Sequence, residues 1–172
     1  MTGMRVVSLL PSATELLCEV GGASLLVGRS HECDEPASLA HVPVLTRSRL
    51  APIGADGDSA AIDHAVRTAL AEGSGLYEVD EAALRALRPD VILTQDLCEV
   101  CSVDLRTVER IAETMDPRPR IVNLNPVSIE DVFDDLLRVG EAVGLHEAAE
   151  RALVALREAY WSAIDYVTPY TD

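Results

Sequence analysis

The stretch RVVSLLPSATELL, residues 5–17, decides how the rest of the chain is read. Arg5 to Leu10 is a short run of β-branched residues and leucine, the composition of a buried strand. Pro11 stops that run. Ser12 with Glu15 has the S-x-x-E spacing of a capping box, in which a hydroxyl and a carboxylate take up free N–H groups at a helix start. Gly21-Gly22 closes the helix. A strand that passes directly into a helix is the opening of an α/β unit, and the question is whether the pattern continues.

It does. Strands are expected at residues 25–28, 76–79, 91–94 and 120–124, with a short extended piece at Pro43 to Leu45. Helices are expected over about 59–71, 81–87 (capped by Asp80), 104–114, 128–143 and from His146 into the tail. In the helix at 128–143, Ile129, Val132, Phe133, Leu136, Leu137, Val139 and Val143 follow a helical period. Alternating strands and helices give an α/β fold, Rossmann-like, with a mainly parallel sheet flanked by helices. A long helix and a C-terminal helix follow it.

In such sheets ligands bind outside the C-terminal ends of the strands. Three clusters fall there: Pro11 to Thr14, Ser30-His31-Glu32-Cys33-Asp34, and Gln95 to Cys101. Ser12, Ala13 and Thr14 offer hydroxyls and free N–H groups at a helix start, which suit an anionic or polar ligand group; ordinary capping by Ser12 is the plainer reading. Cys98-x-x-Cys101 has the spacing of half a zinc site, and His31-x-Cys33 could complete a Cys3His set for zinc or iron. The same C-x-x-C could be a redox pair, although Glu99, Asp96 and Asp104 disfavour a thiolate. It could also be two inert thiols under a turn. His31, beside Glu32 and Asp34, is either a ligand contact or a partly exposed imidazole. Cys18 reads as a small buried hydrophobe on a helix face. His41 and His64 read as surface residues, and His146 as a cap-region residue at the start of the last helix.

Composition narrows the function. The chain has 172 residues and a net charge of -15, with no Lys/Arg stripe, so nucleic acid is excluded as a partner. No basic amphipathic segment and no span of about 18 apolar residues points to a membrane. The N-terminus lacks a signal-type apolar region, so the expected location is cytoplasmic. No nucleophile-and-base set, P-loop or G-x-G-x-x-G is present, so the chain is not expected to be an enzyme.

Residues 5–17, the Ser-His-Glu-Cys-Asp stretch at 30–34, Pro43 to Thr46, residues 84–95 and Asp96 to Cys101 together resemble the class III periplasmic-binding-protein family. These are the cobalamin and iron-siderophore receptors of ABC importers, and the motifs look like a leaderless branch labelled cobalamin-binding. The resemblance covers about residues 5–156. It implies an N-terminal binding lobe over 1–126, then a backbone helix and C-terminal helix over 127–172. It implies ligand contacts from Ser12, Ala13, Thr14, His31, Glu32, Thr46, Arg47, Gln95 and Asp96. The ligand would be a small molecule, either cobalamin or a metal species. The first lobe has Tyr77 as its one aromatic, a departure from aromatic-rich cobalamin sites.

The family's second lobe is expected after about Arg157, and the chain stops at Asp172. Tyr160, Trp161, Tyr166 and Tyr170 crowd into these last residues. A single lobe leaves apolar area open to water, so a homo-oligomer is expected, with the last helix at the contact. Three readings stay open: a small-ligand binder, a metal-binding module through His31, Cys33, Cys98 and Cys101, and a degenerate lobe acting through association.

Overall fold

A computed structural model describes residues 3–49, 60, 63, 64, 66–68, 76–96 and 104–167. The expected α/β fold is what it shows. Strand β1 (Val6–Ser8) leads into helix α1 (Pro11–Glu19), then β2 (Leu26–Arg29), β3 (Thr46–Ser48) and β4 (Tyr77–Val79). Helix α2 (Glu81–Leu87), β5 (Val91–Thr94), α3 (Leu105–Glu113), β6 (Arg120–Asn123), α4 (Ile129–Ala142) and α5 (His146–Val167) complete the order. Residues 60, 63, 64 and 66–68 are helical; the rest of the helix expected over 59–71 lies outside the described residues.

Among the described residues the main sheet runs β2-β1-β5-β6, every neighbouring pair parallel. The central strands β1 and β5 are buried along their length, which fits a parallel sheet covered on both faces. Alternation along β1 divides the core in two. Val6 joins Leu17, Leu93, Leu136 and Val139 in one apolar layer, beneath α1 and α4. Val7 joins Leu84, Ile92, Val108 and Ile111 in the other, beneath α2 and α3.

Local chemistry sets the helix starts. Asp80 accepts from Ala83 N at 2.9 Å, and Asp104 accepts from Arg106 N and Thr107 N at 3.2 Å each. Ser128 and Asp131 cap α4 reciprocally: Asp131 N donates to Ser128 Oγ at 3.2 Å, and Val127 N donates to Asp131 Oδ2 at 3.0 Å. The expected capping box at Ser12 and Glu15 is not formed. Pro11 already occupies the first helical turn and Leu10 stands at the cap, so Ser12 sits inside the helix with its side chain exposed.

Two further corrections concern the second sheet and Cys18. Thr46–Ser48 pairs antiparallel with Tyr77–Val79, so a small antiparallel ribbon stands beside the parallel sheet. It is joined to β2 by a parallel bridge between Arg29 and Val44. Cys18 is half-buried rather than buried, packed against the edge of the first apolar layer.

The last two helices form a tight corner. Gly144, at φ +73°, ends α4 in the left-handed conformation that glycine takes readily. Gly140 lets α5 approach closely: a Cβ there would overlap that of Ala149. Phe133 on α4 meets Tyr160 on α5 edge-to-face, with ring centroids 5.9 Å apart. No helix among the described residues is long and apolar enough to cross a membrane.

Candidate functional site

The sheet order places the candidate residues. Moving outward from β1, the chain goes first to β2 and then, on the other side, to β5 and β6. The switch in direction lies between β1 and β5, and a crevice there is the expected ligand position in an open parallel sheet. Pro11 and Ser12 follow β1, Gln95 and Asp96 follow β5, and Ser30 and His31 follow β2, all on the C-terminal rim.

A polar knot forms where β2 ends. Ser30 N donates to Ser8 O at 2.9 Å, so the ladder carries one residue past β2 and fixes where His31 emerges. The loop then turns back, with Cys33 N donating to Ser30 O at 3.2 Å. Arg29 holds the turn from outside, its Nη1 donating to Cys33 O at 2.7 Å and its Nε to Val42 O at 3.2 Å.

Thr46, buried on the first residue of β3, is the hub of this knot. Its Oγ1 accepts from His31 N at 2.9 Å and lies 2.7 Å from His31 Nδ1 and 3.0 Å from Ser30 Oγ. One arrangement gives every hydroxyl hydrogen an acceptor. Ser30 donates to Thr46, Thr46 donates to Nδ1, and Ser30 Oγ accepts from Glu32 N at 3.3 Å. That arrangement puts the imidazole hydrogen on Nε2, which has no partner among the described residues. The ring of Tyr77, on β4, lies 5.2 Å from the His31 ring, and its hydroxyl donates to Glu32 Oε1 at 2.7 Å. A half-buried imidazole, a carboxylate and an aromatic face therefore share one small surface.

The other expected residues are placed as follows. Ala13 and Thr14 are buried, Ala13 in the first apolar layer. The Thr14 hydroxyl reaches Leu10 O at 3.2 Å and Cys33 Sγ at 3.1 Å, tying the start of α1 to the His31 loop. Burial pushes the Cys33 thiol up, against the opposing hydrogen bond from Thr14, so it stays protonated near neutral pH. Arg47 is exposed and pairs with Glu78 at 2.8 Å. Asp96 N donates to Asn125 Oδ1 at 2.8 Å, linking the rims of β5 and β6, and Gln95 is half-buried beside it. Cys98 and Cys101 lie outside the described residues. Among those described, no three His, Cys, Asp or Glu side chains gather as a metal site would require. His41 and His64 are exposed, as expected, and His146, also exposed, opens α5.

Tyr77 and Ser30 were not among the expected ligand contacts. Tyr77 reaches His31 only through the β3–β4 pairing, in which Ser48 stands opposite Tyr77. The usable signal was the isolated aromatic itself, in a lobe that otherwise lacks them. The ribbon also lines a groove of about 390 Å³ between residues 44–47 and 78–81. His31 and Glu32 do not line it.

No protein-family model matches this chain, and no curated protein matches it. Solved structures do. A periplasmic heme-binding protein from Pseudomonas aeruginosa superposes with TM-score 0.69 at 19% identity, over 98% of this chain and 48% of that one. The periplasmic heme-binding protein RhuT from Roseiflexus sp. RS-1 gives 0.71 at 16%, over 99% and 52%. The periplasmic vitamin B12 binding protein BtuF of Vibrio cholerae gives 0.67 at 14%, over 95% and 51%. The chain has the fold of one part of these binding proteins and spans about half their length. They are binding proteins rather than enzymes. They also correct the cytoplasmic expectation: these matches are periplasmic proteins, which points away from the cytoplasm.

Proposed function

We propose that this chain is a binding lobe for a small ligand, of the substrate-binding type that serves ABC importers, working in the periplasm. In this reading residues 1–126 form the lobe, and residues 127–172 supply the backbone helix and the C-terminal helix. The ligand sits on the strand C-terminal rim. His31 Nε2–H donates to it, Glu32 accepts from it, and the Tyr77 ring packs on it. Ser12 and the free N–H groups at the start of α1 supply a second polar edge, with Gln95 and Asp96 past β5 on the same rim; Arg47, on the ribbon, is held by Glu78. The observation that carries the reading is the Thr46 knot. Three hydrogen bonds converge on one buried hydroxyl to hold an imidazole in one orientation. Fixing a first-contact side chain in advance lowers the cost of binding.

The fold likeness suggests the ligand class, because the similar structures are described as binding heme, vitamin B12 or iron. A planar macrocycle or an iron complex is therefore the first class to try. Equilibrium absorbance titration with hemin, vitamin B12 and a ferric chelate tests it. Saturable binding of one of the three to one site per chain is the expected result. Failure of all three to bind overturns the ligand class.

A further inference from the structure

We infer that the outer face of α5 pairs with the same face of a second copy of this chain, antiparallel, about an axis between Arg157 and Glu158. The proposal is independent of the ligand reading above. At 3.6 residues per turn, Val154, Arg157, Glu158 and Trp161 fall within about 100° of arc; Val154, Glu158 and Trp161 lie away from α4, and Arg157 stands at the edge of the arc with its guanidinium turned toward Glu130 and Phe133 of α4. The inward side is taken by Ala149, Leu153 and Leu156, which pack on the core. The outer side carries large apolar groups in water, Val154 at 58% and Trp161 at 55% exposure. With Ser162 and Asp165 these residues make one open, nearly flat patch.

What selects a second copy as the occupant is the order of charge and apolarity along this face. Turning the helix end for end about the stated axis sets Arg157 opposite Glu158 of the second copy, and Val154 opposite its Trp161. By symmetry each pair occurs twice. Apolar meets apolar and plus meets minus with no adjustment of register. Further out, Glu150 falls opposite Asp165, a like-charge pair that opposes this register and that Arg151, one position away, offsets in part. A one-residue slip either way destroys the match: it sets Glu158 against Glu158, or Arg157 against Arg157. Arg157 is also held ready on its own chain. Glu130 lies 3.4 Å away and the Phe133 ring 5.4 Å, so the side chain is already ordered and must share or give up this exposed ion pair, a weak one, when it meets Glu158 of the second copy. The net charge of -15 opposes association in dilute salt and is screened beyond about 8 Å at ~0.15 M.

Sedimentation equilibrium on the full chain at ~0.15 M salt, from about 1 µM to about 1 mM, tests the pairing. The wild type is expected to shift from monomer to dimer across that range. Glu158→Arg and Arg157→Glu are each expected to lose at least about tenfold in association constant, because each creates a facing like-charge pair. An equimolar mixture of the two variants restores association, since arginine then meets glutamate at both contacts. Trp161→Ala, which leaves every charge in place, gives a comparable loss. Far-UV circular dichroism checks that each variant is folded; should Arg157→Glu unfold, Glu158→Arg and Trp161→Ala still decide. A wild type that stays monomeric throughout, or folded variants that dimerise like the wild type, would overturn the proposal.

Discussion

His31 and Thr46 are joined twice through one oxygen: Thr46 Oγ1 accepts from His31 N at 2.9 Å and lies 2.7 Å from His31 Nδ1. His31 lies in the turn just past β2 of the main sheet, and Thr46 starts β3 of the ribbon. The pair therefore locks the ribbon to the main sheet and aims the imidazole in the same act. Stability and site geometry are coupled through that one hydroxyl.

Thr46→Val keeps the shape and removes the hydroxyl. The buried Ser30 hydroxyl and the half-buried His31 N and Nδ1 then each lose a partner, and leaving a buried polar group unpaired costs about 1–3 kcal/mol. The expected outcome is a lower urea midpoint with an unchanged m-value. Thr46→Ser should keep most of the stability. Equal midpoints for Thr46→Val and wild type would show that the knot contributes nothing.

Tyr77 separates the two parts of the proposed contact surface. Tyr77→Phe deletes the hydrogen bond to Glu32, an exposed contact, and should change stability by no more than about 0.5 kcal/mol. Tyr77→Ala also removes the ring from His31. For a ligand that packs on this face, it should weaken binding at least about tenfold, read by titration, while Tyr77→Phe loses less. Equal affinities for all three proteins would remove Tyr77 from the site.

The α4–α5 corner predicts a sharp cost. Gly140→Ala puts a methyl into the Ala149 contact, between two backbones that cannot both stay in place. Overpacking of this kind costs about 1–3 kcal/mol. Thermal melts should show the loss, and pairing Gly140→Ala with Ala149→Gly should recover part of it.

Asp135 predicts a pH dependence of unusual sign. Its side chain is almost wholly buried on α4. Oδ1 pairs with Arg138 at 2.7 Å, while Oδ2 has no hydrogen-bond partner among the described residues. Burial pushes its pKa above the ordinary aspartate value, and the neighbouring Asp131 and Asp134 add to the rise against the pull of Arg138. From about pH 4 up to the raised value, the native state holds more protons than the unfolded one. Stability contributed here is therefore full below about pH 4 and is lost as pH rises through that window. Asp135→Asn lacks this slope, and the half-exposed Arg138 it leaves behind stays solvated. The variant should match or exceed the wild type in Tm at pH 7, with its advantage shrinking toward pH 4. A deficit at pH 7 that persists unchanged toward pH 4 would contradict the assignment.

The parallel sheet was legible because its strands are continuous apolar runs and each is followed by a turn or cap signal, as at Val91 to Thr94. The helix caps Asp80 and Ser128 were legible for the same local reason. Ser12 misled because S-x-x-E is satisfied by spacing alone, whereas Pro11 one residue earlier had already set the helix start. The ribbon was harder. Thr46-Arg47-Ser48 carries no apolar alternation, and its partner Tyr77-Glu78-Val79 lies far along the chain, so nothing local announces the pairing. The site inherits that difficulty. His31, Glu32 and Thr46 are readable as ligand-type residues, but Tyr77 joins them only through a long-range register.

The most direct test of the central claim is an absorbance titration of hemin, vitamin B12 and a ferric chelate into wild type and His31→Ala, under identical conditions. The imidazole is half-buried at a loop, so the variant should stay folded, and circular dichroism verifies that. The wild type is expected to bind at least one ligand saturably and one-to-one, with affinity weakened at least about tenfold in the variant. Binding that is absent from the wild type, or indifferent to the loss of His31, would contradict it.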